Sequence, residues 1–78
     1  MKYKIKGCFL SQGMRAEEHK DLFYKLCTRY KVDLTSIRQN LYTNFTFKIS
    51  CSEKDLYTFV EDLQKCRFEI LSIKKVLW

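Results

Sequence analysis

Between Leu41 and Cys51 the side chains sort by alternate residue. Leu41, Phe45, Phe47, Ile49 and Cys51 share one side of an extended chain, and Tyr42, Asn44, Thr46, Lys48 and Ser50 share the other. In a run rich in aromatic and β-branched residues, this period of two predicts a strand with one buried face. Residues 2–10 repeat the pattern, with Tyr3, Ile5 and Phe9 on one side and Lys2, Lys4, Lys6 and Cys8 on the other. Gly7 falls in the apolar row and marks a bulge or a place where a helix comes close.

The period changes from about Arg15. His19, Leu22, Phe23, Leu26, Cys27 and Tyr30 follow the i, i+3, i+4, i+7 spacing of one helical face. Acids come early in this stretch and bases late, the order that complements a helix dipole. Val32, Thr35 and Ile37 favour a strand, which the weak alternation places at 34–40, with Asp33 in the preceding connection and a turn at 40–44. Ser52 is a good N-cap, and Leu56, Phe59, Val60 and Leu63 form the apolar stripe of a second helix ending near Arg67. The last strand is 68–78, with Leu71 and Ile73 facing inward and Ser72, Lys74 and Val76 outward.

The order strand, helix, strand, strand, helix, strand predicts an α+β fold with two interlocked split crossovers. They form one four-stranded antiparallel sheet, order 4-1-3-2, with both helices on one face, which is a ferredoxin-like plait. The competing arrangement leaves 32–40 as a loop and the sheet three-stranded. A chain of 78 residues is one domain with a small core. It has no proline and two glycines, so no flexible linker can be drawn. No stretch reaches the ~20 apolar residues of a membrane span, and the N-terminus lacks the run of a targeting peptide, so a cytoplasmic protein is expected.

The formal net charge of +6 changes the picture, because parity concentrates it. If the apolar rows meet the helices, Lys2, Lys4, Lys6, Lys48 and Lys74 stand on the open sheet face, with Arg38 beside them. Burying these lysines unpaired would cost several kcal/mol each, which excludes the inverted register. The acids are expected on the helices, in a connection (Asp33) and at the rim (Glu69, on the inner parity), leaving the open face without a carboxylate. Such a face fits nucleic acid, or else an acidic protein surface.

RNA-recognition domains share the plait and stack bases on aromatics pointing outward from the first and third strands. Here only Tyr42 stands at such a position, with Trp78 near the edge, so that pattern is absent and contact through the phosphate backbone is expected instead. Acylphosphatases need an anion-cradling loop after the first strand. Ser11 to Arg15 occupies that place with one Gly and one Arg, which a plain connection explains better.

The four cysteines form no C-x-x-C pair and suggest no zinc site. Cys27, Cys51 and Cys66 read as small buried hydrophobes, and Cys8, on the outer row among lysines, is the candidate exposed thiol. His19 is the sole histidine and reads as half-buried packing. Neither a cofactor, a metal nor a catalytic set is expected. The reading is a non-enzymatic binding domain for nucleic acid or a nucleoprotein, carried by Lys2, Lys4, Lys6, Lys48, Lys74, Arg38 and Tyr42. The alternative is a protein–protein module gripping an acidic surface, or a homodimer formed through the sheet. The compact, motif-free composition suits a phage or mobile-element inhibitor or adaptor.

Overall fold

Six elements form in the expected order: β1 (Lys2–Phe9), α1 (Met14–Arg29), β2 (Val32–Asn40), β3 (Asn44–Ser50), α2 (Glu53–Lys65) and β4 (Phe68–Val76). The computed structural model describes residues 1–10, 14–40 and 44–77, and the side chains of α1 from Glu17 onward. The strands make one antiparallel sheet in the order β2-β3-β1-β4, the α+β ferredoxin-like plait. The turn expected at 40–44, with Tyr42, and the Ser11–Arg15 connection lie largely outside the described residues, as does Trp78. Among the described residues, no helix is long and apolar enough to cross a membrane.

The helices start and stop for local reasons. Ser52 is extended, at φ −73° and ψ 163°, and its hydroxyl accepts the Asp55 N–H at 3.2 Å, satisfying a donor that the first turn of α2 leaves free. Past their C-termini, Lys31 and Arg67 both adopt φ 60°, the left-handed turn that redirects the chain into β2 and β4. Tyr30 ties the two helices together, its hydroxyl donating to Asp62 Oδ2 at 2.9 Å and its ring lying 5.1 Å from that of Phe59.

The core joins the inner sheet face to both helices. Tyr3, Ile5, Phe9, Phe45, Phe47 and Ile49 meet Phe23, Leu26, Cys27, Leu56, Phe59 and Leu63, all buried. Phe23 is its hub, within 6 Å of the Phe9, Phe45, Phe47 and Phe68 rings. Leu22, expected on the buried stripe of α1, is 48% exposed, because the sheet and α2 cover a narrower arc of the helix than the sequence periodicity suggests.

β4 departs from the simple alternation. Lys6 pairs with Ser72 but Gly7 pairs with Ile70, so Leu71 is an extra residue in a bulge. The bulge inverts the parity of everything before it. Phe68 and Ile70 thereby take the inner face in place of Glu69 and Leu71, while Ile73, beyond the bulge, keeps its expected inner parity opposite Ile5. Phe68 is buried, whereas Leu71 and Ile73 are 52% and 39% exposed. Gly7 does mark a bulge, standing on the strand opposite the extra residue. A Cβ there would meet Cζ of the Phe68 ring at 2.7 Å and the Glu69 carbonyl oxygen at 2.5 Å, so the residue must be Gly for Phe68 to lie across β1.

β2 begins at Val32, two residues before the expected edge strand, and so takes Asp33 out of the connection. Val32 is buried opposite Ile49, and this anchor draws the start of the strand into the sheet.

Candidate anion-binding face

Pairing registers turn the outer surface of the sheet into a grid. One row runs Asp33, Lys48, Lys4, Lys74 across β2, β3, β1 and β4. The next runs Arg38, Thr46, Lys6, Ser72, and on the other side of the lysine row lie Ser50, Lys2 and Val76. Lys2, Lys4, Lys6, Lys48 and Lys74 therefore do share one face, and Arg38 joins them. Lys4 faces a lysine on both neighbouring strands. The Lys65 to Asp62 ion pair, at 3.5 Å, lies on α2, away from this face, and the carboxylate set opposite Lys48 is that of Asp33. Tyr42 falls outside the described residues.

The face is not free of acids, contrary to the sequence expectation. The β4 bulge moves Glu69 from the inner parity to the outer one, where it pairs with Cys8, and the early start of β2 puts Asp33 opposite Lys48. Both lie at margins of the grid. Asp33 is turned to local use. Its Oδ1 accepts the Thr35 hydroxyl at 2.6 Å and the Thr35 N–H at 3.1 Å. These bonds, with Lys2 and Lys48 nearby, hold its carboxyl below the usual range.

That turn shapes the β2 edge. The Ser36 hydroxyl donates to the Asp33 carbonyl at 2.6 Å and accepts the Lys48 N–H at 2.8 Å, standing in for a ladder partner where the β2–β3 register shifts. Arg38 Nη1 donates to the Thr35 and Ile37 carbonyls at 2.7 and 3.0 Å. These two bonds hold the guanidinium at the rim of the grid.

Two shallow depressions lie on this face. One, about 290 Å³, is lined by Lys4, Lys6, Asn40, Thr46, Ser72 and Lys74. The other, about 250 Å³, is lined by Lys4, Ser36, Arg38, Thr46, Phe47 and Lys48. They share Lys4 and Thr46. Neither lining contains a carboxylate, so both present cations and hydroxyls, and the first adds the Asn40 amide. Asn40 enters the site only through the β2–β3 pairing (Asn40 opposite Asn44), a long-range register that side-chain alternation along one strand does not encode.

The cysteines offer little chemistry. Burial, and then the neighbouring Cys66, pushes the Cys27 thiol up to about 12, and burial raises Cys51 and Cys66 as well. Cys8 is half-buried between Asn44 and Glu69, at the end of the grid away from the lysine row. Among the described residues, no cluster of His, Cys, Asp and Glu is arranged to hold a metal ion. No family model, curated protein or solved structure matches the chain.

Proposed function

We propose that this protein is a non-enzymatic binding domain whose open sheet face contacts the phosphate backbone of a nucleic acid. The observation that carries the reading is the in-register row Lys48–Lys4–Lys74, three cationic side chains held opposite one another, with the one carboxylate in the row, Asp33 at its end, bonded to Thr35. Like charges directly across a sheet are unfavourable, and a polyanion laid over them removes that cost. Among the described residues, the aromatic side chains of the sheet point to the core. Recognition therefore runs through phosphates rather than base stacking and is weakly sequence-selective.

The test is titration of a labelled single strand by fluorescence anisotropy. With three or four phosphates neutralised, affinity falls with salt at a log–log slope of about −2 to −3. Replacing Lys4, Lys6 and Lys48 together by Glu abolishes binding with the fold retained. The matched control replaces the exposed helix lysines Lys25, Lys54 and Lys65, an equal change in net charge, and leaves most binding intact. Lys20 is unsuitable as a control because its ammonium packs 5.9 Å from the Phe45 ring. Equal losses from both triples reduce the interaction to general attraction and overturn the reading.

A second reading, a protein–protein contact along β4, is favoured by the exposed Leu71 and Ile73 on that edge strand. A pull-down with and without nuclease separates the two, since a stoichiometric protein retained after nuclease supports the second.

A further inference from the structure

We infer that the 290 Å³ depression is a subsite for a single phosphate group, gripped by the Lys4, Lys6 and Lys74 ammonium groups and by the Thr46 hydroxyl. The inference rests on the reading of the face as a phosphate-contacting surface and says where on it one phosphate is held.

All four strands contribute to this depression: Lys4 and Lys6 from β1, Asn40 from β2, Thr46 from β3, and Ser72 and Lys74 from β4. Lys4 and Lys74 are directly paired, and Lys6 stands two residues along the same strand, flanked in its own row by Thr46 and Ser72. Neighbouring strands are ~4.8 Å apart and successive outward residues of one strand ~6.8 Å apart. Long, flexible lysine side chains can thus reach a common ligand from three positions around a depression that the Thr46 and Ser72 hydroxyls also line.

The polarity of Thr46 is set by its neighbour. Asn40 Nδ2 donates to Thr46 Oγ1 at 3.0 Å, which leaves the hydroxyl hydrogen to be donated to a ligand. The depression is therefore rich in donors and has no carboxylate to repel an anion. A phosphate offers several strong acceptor oxygens and enough negative charge to offset the Lys4–Lys74 repulsion, so occupancy is coupled to fold stability.

The experiment measures thermal stability in inorganic phosphate against sodium chloride at equal ionic strength, for the wild type, Thr46→Val and Thr46→Ser. The same three proteins are titrated with the labelled strand. Phosphate is expected to raise the wild-type Tm saturably by several degrees more than chloride. Thr46→Val, which keeps net charge and strand propensity, brings the response down to that of chloride and weakens strand binding about tenfold at unchanged salt slope, while Thr46→Ser retains both. Phosphate acting no better than chloride, or Thr46→Val responding like the wild type, overturns the subsite even where lysine-dependent strand binding persists. A phosphate-specific, Thr46-dependent shift in a protein that binds no nucleic acid supports the subsite as a site for free phosphate and removes the nucleic-acid reading.

Discussion

Lys4 has a lysine opposite it on each neighbouring strand, Lys48 on β3 and Lys74 on β4. Each like-charged cross-strand pair costs about 0.2–1 kcal/mol relative to neutral partners. Lys4→Gln is therefore expected to stabilise the fold by up to about 1 kcal/mol while weakening anion binding. Urea melts at low and high salt check this, since the gain should shrink as salt screens the repulsion. A loss of stability on removing Lys4 would mean that the row does not repel. Gly7 is constrained in the opposite sense, by contact rather than charge. Its missing Cβ leaves room for the Phe68 ring and the Glu69 carbonyl. Gly7→Ala is expected to cost about 1–3 kcal/mol, the range for overpacking a tight site, read as a lowered urea midpoint at unchanged slope.

At the scale of the element, β2 shows how an edge strand is finished with side-chain bonds. Asp33, Thr35 and Ser36 build a turn within the strand, and the Ser36 hydroxyl supplies the acceptor that Lys48 N–H requires. The Thr35 bonds hold the Asp33 carboxyl below its usual value of 3.8, with Lys2 and Lys48 adding to the effect. Because the folded value is the lower one, the contribution is complete above the unfolded value and disappears as pH falls through the folded value. Wild-type stability should therefore drop more between about pH 6 and pH 2 than that of Asp33→Asn, which has no carboxylate to protonate. Equal drops in both proteins would remove Asp33 from the acid limb. β4 finishes the opposite edge differently, with the Leu71 bulge interrupting its ladder with β1.

For the molecule as a whole, the apolar core and the proposed anion-binding surface lie on opposite faces of the sheet. The inner face holds the phenylalanine cluster around Phe23, and the outer face holds the cations. Phe47→Ala, which empties a fully buried site between Phe23 and Phe59, is expected to cost about 3–5 kcal/mol. In a domain this small that brings it close to unfolding, as thermal and urea melts would show. The Lys4, Lys6 and Lys48 triple should leave the cooperative melt in place. A triple that unfolds the chain while Phe47→Ala does not would invert the two faces.

How much of this was legible in the sequence depended on how local the cause is. Strand parity in β1 and β3 is local, because side chains alternate whatever the partner, and so Lys2, Lys4, Lys6 and Lys48 were assignable to one face from the chain alone. The α2 stripe and its Ser52 cap are local in the same sense. Neither the β4 bulge nor the start of β2 is local. Leu71 steps out of the ladder because Phe68 must cross Gly7 to reach Phe23, and Asp33 enters the sheet because Val32 is buried opposite Ile49. Those long-range contacts carried Glu69 and Asp33 onto the outer face and set Asn40 beside Thr46. Sequence by itself determined which residues are cationic and which way the central strands face. Only the tertiary structure decided which cations are neighbours, because register between strands is chosen by packing of the side chains on the other side of the sheet.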